Sequence, residues 1–293
     1  MAESKGMDFR EYKSSSLWLD VWRQVRRNQF AVAGMIILAF LVLVAVGAPW
    51  ISPYDPYEMD LAGGLQSPTP EHILGTDDLG RYLLSRLIYG ARVSLTVGLI
   101  VVGIAGSIGV TLGAISGYYG GLVDQIIMRS VDVILAFPFL VLAIAVVAIV
   151  GPSLTNVMIV LGGVSWIGYA RLVRGLVLSL REEEFISAAH VIGVRDWQII
   201  WRHILPNCLG VVIVQATFGV AVSILAASGL SFLGMGAQPP TAEWGAMLST
   251  AKKHMRHHPM VAIAPGMAIM ITVLAINFVG DALRDALDPR LRI

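Results

Sequence analysis

Cysteine is nearly missing from this chain: of 293 residues only Cys208 carries a thiol, which excludes an intrachain disulfide and a thiolate metal cluster. Charge is scarce too. Asp, Glu, Lys and Arg together make up 14%, against about 25% in an ordinary soluble domain. Apolar side chains instead reach 56%, and mean hydropathy is +0.73, so the surface is not built for water. The net charge of +1 says little about partners by itself, and no nucleic acid is expected among them. Two catalytic signatures are absent, the His-Glu-x-x-His helix and the G-x-x-x-x-G-K-[ST] phosphate loop. No cofactor is expected, and the chain is read as not an enzyme. A pump built on it would draw its energy from a partner. The first thirty residues mix Asp8, Arg10, Glu11 and Lys13, unlike a cleaved signal peptide.

What the chain has in quantity is long apolar runs. A helix crossing the hydrocarbon needs about 20 such residues, and six stretches qualify: 30–51, 93–117, 126–150, 154–173, 209–234 and 260–280. Lysine and arginine set the orientation. With the N-terminus inside, the outer side holds only Arg81, Arg86, Arg92, Lys252, Lys253 and Arg256 of the 21 cations. Both termini are therefore expected in the cytoplasm, in a multi-pass bacterial or archaeal inner-membrane protein. The chain divides into a cytoplasmic segment 1–29, a first span 30–51, an outer loop 52–92, a five-span core 93–283 and a tail 284–293. The core carries an inner loop at 178–206 and an outer loop at 237–258. In the first segment Leu17, Trp18, Val21, Trp22 and Val25 recur on one helical face opposite Asp20, Arg23, Gln24 and Arg27. That pattern predicts an amphipathic anchor lying in the membrane interface.

Inside the second span, Gly103, Gly106, Gly109, Gly113 and Gly117 fall within an arc of about 120° on a helix. Lipid gives no hydrophobic drive for helix association, so a small-residue face is expected to pack closely against another helix, in this chain or a partner; lining a pathway is the other reading. Ionisable residues within a bilayer are costly. Arg129 and Asp132, three apart near the inner end of the third span, are expected to form a structural ion pair. No titratable group is evident at a span centre, which counts against a proton-coupled carrier. His254, His257 and His258 are read as a solvated loop, since no carboxylate or cysteine accompanies them.

The inner loop is the most informative segment. Glu182–Glu184 opens a helix where the positive dipole end favours carboxylates, Phe185, Ser187, Ala188 and Ala189 follow, and Gly193 closes it. Trp197, Ile200, Trp201 and Ile204 form an apolar stripe on a second helix, and Pro206 marks the entry to the fifth span. A short helix exposing alanines between anchored neighbours is a docking knob.

Here the chain resembles the binding-protein-dependent ABC import permeases of the dipeptide, oligopeptide and nickel type. Their E-A-A-x3-G-x9-I-x-L-P loop is matched at Ala188, Ala189, Gly193, Leu205 and Pro206, with Ser187 in place of the glutamate and His203 in place of the isoleucine. The segments Gly75–Arg81, Gly234–Gly245 and Gly280–Pro289 are typical of the C-type subunit, although Tyr82 stands where an aspartate usually follows the first. The resemblance implies an all-α fold of six transmembrane helices, a type I importer permease with a cytoplasmic coupling helix. It also implies a second, homologous permease subunit, two cytoplasmic ATP-binding subunits and an extracytoplasmic solute-binding protein. On this reading Glu184, Phe185, Ser187, Ala188, Ala189, Gly193 and Pro206 couple the chain to the ATPases, and the cargo is a di- or oligopeptide. Nickel chelates and glutathione-like compounds are alternative cargoes. A stand-alone carrier would show midplane charge or an internal repeat, and neither is seen.

Overall fold

The computed structural model describes residues 17–287, with side chains from residue 21 onward. The chain is all-α. Helices α1 (Leu17–Arg27), α2 (Gln29–Ile51), α3 (Leu83–Tyr119), α4 (Gly121–Leu135), α5 (Phe139–Val150) and α6 (Leu154–Leu180) are followed by α7 (Glu184–Val191) and α8 (Asp196–Ile199). Then come α9 (Leu205–Phe232), α10 (Trp244–Ala251) and α11 (Met260–Leu287). Among the described residues five stretches are long and apolar enough to cross a membrane, and α4 with α5 makes a sixth as a bent pair.

Three expectations need correction. The third span is not straight: α4 and α5 meet at 88°, because Pro138 cannot continue the helix and disfavours helical geometry at Phe137 before it. The second span is longer than expected, its helix running for 37 residues. That is about 55 Å, well beyond a hydrocarbon core of about 30 Å, so both its ends reach into the polar zones. Finally, α1 does not simply lie in the interface. Val21 and Val25 are buried against Ala31, Ala282 and Ala286, and Gln24 donates to the Asp285 carbonyl at 3.4 Å. Among the described side chains Trp22 keeps the anchoring role, half exposed with Arg26 over its ring. The Trp18 side chain lies outside what is described.

The glycine face of α3 meets α6, the most extensive helix contact in the chain. A Cβ on Gly109 would collide with the Trp166 carbonyl, and one on Gly113 would lie 2.5 Å from the Ala170 oxygen. The stripe is not uniform, however: Gly103 has open space before it, and Gly106 only the edge of Tyr169. Close packing is therefore confined to its C-terminal half.

Contacts sort the loops to two ends. Arg86 donates to the Pro56 and Pro240 carbonyls, and the Trp244 indole to Leu87, which gathers both predicted outer loops. At the opposite end, α3 touches the predicted inner loop through Tyr118, and Gly210 at the start of α9 faces Leu287 at the end of α11.

Candidate functional site

The predicted docking segment is a compact helical unit with one buried and one exposed side. Helix α7 is only two turns long and could not persist alone; packing holds it. Ile186 and Ala189 are buried together with Ile199, Ile200, Ile204, Leu205 and Cys208, against Ala114 of α3 and Val173 and Val177 of α6. Its C-terminus closes through the Gly193 amide to the His190 carbonyl and the Val194 amide to the Ala189 carbonyl. This is the paired bond of a Schellman cap, with Gly193 at φ +78° where a side chain would be strained.

The exposed side carries Glu184, Phe185, Ser187, Ala188 and, at its C-terminal end, Val191 and Ile192, which are 88% and 78% exposed. Ala189 therefore turns inward, and Ala188 alone of the alanine pair is presented outward. The expected Trp197–Ile204 stripe also divides. Ile200 and Ile204 anchor the unit together with Ile199, whereas Trp197 and Trp201 are more than half exposed. The reason is a wider turn over Ile200–Ile204, which shifts the register so that three isoleucines, and not two with the tryptophans, share the inner face. That segment runs directly into α9, where Pro206 removes one backbone donor from an otherwise continuous helical run.

Polar ties fix the unit to the bundle. The Tyr118 hydroxyl donates to the Asp196 carboxylate at 3.0 Å, and His190 Nε2 lies 3.3 Å from the same hydroxyl. Arg181 donates to the Gly117 carbonyl. Just above, Arg174 grips Asp124 with two nitrogens at 2.5 and 2.7 Å, and Ser116 donates to that carboxylate. This is the ion pair of the third span; none forms between Arg129 and Asp132. Arg129 and Asp132 share one face of α4, but Asp124 is the acid that meets α6 and takes its arginine.

At the other end the Gly75–Arg81 segment is a folded knot around Asp77. Its carboxylate accepts from the Leu79 and Arg81 amides and the Arg81 guanidinium at 2.7 Å, and lies 3.4 Å from Arg86. All three charged groups are almost fully buried. Gly75 and Gly80 have positive φ, and a Cβ at either would strike the backbone of Gln66 or Asp60. In the second predicted outer loop Glu243 caps α10 through the Gly245 and Ala246 amides and also accepts from Ser228. No group of three or more His, Cys, Asp or Glu able to hold a metal occurs among the described residues.

Between the two ends a cavity of about 400 Å³ opens against α3, α6, α9 and the α4–α5 elbow. Broken helices within a membrane are tolerated where they line such a space. Its polar lining comes from Ser165, Tyr169, Arg171, Gln215 and Ser223, among apolar walls.

Two family profiles match the chain. That of binding-protein-dependent transport system inner membrane components covers residues 109–293, and that of the N-terminal transmembrane domain of oligopeptide transport permease C covers residues 16–68. The chain belongs to the binding-protein-dependent permease family. It is 46% identical to the dipeptide transport system permease protein DppC of Alkalihalophilus pseudofirmus, over 96% of this chain and 93% of that one. To the glutathione transport system permease protein GsiD of Pectobacterium atrosepticum it is 45% identical, over 94% and 92%. The fold is also that of a solved inward-facing MetNI methionine ABC transporter chain, with a TM-score of 0.54 at 19% identity, over 70% of this chain and 98% of that one.

This permease is thus a multi-pass inner-membrane subunit of an ABC importer, and not itself an enzyme. Some of its working parts escape sequence reading. Nothing in the spacing of Asp124 and Arg174, fifty residues apart, announces their pair. Arg171, counted with the inner-side charges, instead lies within α6 on the cavity wall. The elbow did carry a signal, the Phe137-Pro138 step.

Proposed function

We propose that this permease forms half of the pathway of an ATP-driven importer of di- or oligopeptides, and that a cytoplasmic ATPase drives it through the 182–206 unit. The observation that carries this reading is the form of α7. It is sealed to α3, α6 and α9 on one side and exposes a small-residue knob flanked by apolar side chains on the other. A rigid body so mounted transmits a push to the spans, whereas a floppy loop would absorb it. Glu184, Phe185, Ser187 and Ala188 are the contact residues in this reading, while Ala189, Gly193 and Pro206 set the shape. A second, homologous permease completes the pathway, two ATP-binding subunits dock beneath it, and a solute-binding protein delivers cargo to the 52–92 and 237–258 loops. Both termini then lie in the cytoplasm, at the end where α1, α7 and α11 gather.

Peptide is the favoured cargo because the cavity is lined by hydroxyl, amide and apolar groups that tolerate varied side chains. A dipeptide permease and a glutathione permease are almost equally similar to this chain, so glutathione, itself a peptide, is the second reading. Uptake of labelled dipeptide and labelled glutathione by the reconstituted importer separates the two. Ala188→Arg is expected to abolish uptake of either while leaving membrane insertion intact; normal uptake by that variant would defeat the coupling role.

A further inference from the structure

The cavity contains a cation without a carboxylate. Arg171 is the only charged residue in its lining, and no acidic side chain of the described residues forms an ion pair with it, whereas Arg174, one turn on, is fully engaged by Asp124. An unpaired arginine within a membrane-crossing helix is expensive, and such residues mark ion or substrate paths. A second, independent feature lies at the same wall. Tyr169 is 3% exposed and lines the cavity, and its hydroxyl has no hydrogen-bond partner. That hydroxyl stands against Gly219, also in the lining, where a Cβ would collide with it. A buried polar group left unmet costs about 1–3 kcal/mol, so this hydroxyl, closed off against Gly219, is a donor that a polar ligand would satisfy once α6 and α9 move apart. Across the space, the Gln215 amide nitrogen lies 3.8 Å from where a Cβ on Gly168 would be, close enough to add a further donor and acceptor.

We propose that this cavity is a substrate contact station in which Arg171 holds the C-terminal carboxylate of the passing peptide, while Tyr169 and Gln215 take its main-chain groups. This rests on the peptide-import reading. The guanidinium presents a planar fork that matches a carboxylate with two parallel bonds, and the main chain is the part of a peptide common to all sequences. The apolar lining leaves side chains unread. The station is therefore specific for the peptide end and indifferent to the rest. Lipid headgroups are a competing target for an arginine near the inner half of a span, but they would leave the Tyr169 hydroxyl unexplained.

The test uses the whole reconstituted importer with its binding protein, and compares uptake of one labelled dipeptide with that of its C-terminal amide. Selection by the binding protein is common to all permease variants and cancels when a variant's acid-to-amide ratio is compared with that of the wild type. Arg171→Gln is expected to lower that ratio at least tenfold, Arg171→Lys to restore most of it, and Tyr169→Phe to slow both substrates a few-fold without changing it. A role in folding or assembly alone would lower both substrates equally, and an unchanged ratio in Arg171→Gln overturns the proposal. If the wild-type importer takes up neither peptide, the peptide reading fails, and that result is distinct from uptake without discrimination.

Discussion

The Asp77 carboxylate shows how much one side chain can organise. Two buried arginines, Arg81 and Arg86, converge on it, and two backbone amides donate to it. Removing one partner of a buried ion pair leaves the other charge uncompensated, at a cost of about 3–5 kcal/mol. Asp77→Ala is therefore expected to lower the apparent melting temperature in detergent sharply. Asp78→Ala, whose carboxylate sits 3.9 Å from Arg81 and is more exposed, should have a far smaller effect. The knot was visible in the sequence only as a family-typical string, because its logic lies in contacts between Gly75–Arg81 and residues 60–66 that no local periodicity reports. The Arg129–Asp132 expectation failed for the complementary reason. Spacing along one helix says which residues can meet, but the acid that mattered was chosen by the position of α6.

Helix packing was more legible, and the glycine-rich face of α3 is the clearest case. Small residues at helical spacing point to close approach in a bilayer, and Gly109, Gly113 and Gly117 make that approach to α6. What the pattern did not reveal is where the approach ends. Gly113→Leu is expected to destabilise the fold, since overpacking against the Ala170 backbone costs about 1–3 kcal/mol or more, read as loss of a monodisperse peak in detergent. Gly103→Leu, with nothing within 4 Å of its Cβ position, should leave the isolated subunit intact. If it nonetheless blocks assembly of the importer, the free half of the stripe is where the second permease packs. In the inner loop, helix, cap and proline were all readable from Glu184, Gly193 and Pro206. The division of the isoleucines from the tryptophans was not, because a wider turn at Ile200–Ile204 breaks the regular periodicity on which the stripe was drawn.

On the proposed reading, the chain as a whole is a transmission between two ends. The predicted outer loops are locked to each other by Arg86 and Trp244, the predicted inner unit is locked to α3, α6 and α9, and a cavity lies between. Both composition and motif order led to an all-helical permease, and the family match agrees with them. The cavity was not legible, since it is formed by residues from four separated segments and by a bend that only the assembled fold places. An engine that pulls on α7 must move α6 and α9 with it, and these helices carry Arg171 and Gln215. That would link the proposed docking face to the proposed cargo path through continuous packed structure.

The central claim is that a cytoplasmic ATPase grips α7, and cross-linking tests it most directly. Cys208 is fully buried and is the only native thiol, so a cysteine introduced at Ala188 would report alone. In the reconstituted importer, Ala188→Cys should yield a covalent adduct with an ATP-binding subunit, while Arg256→Cys in the outer loop should not. An Ala188→Cys subunit that stays unlinked while the outer cysteine captures the ATPase would contradict the account.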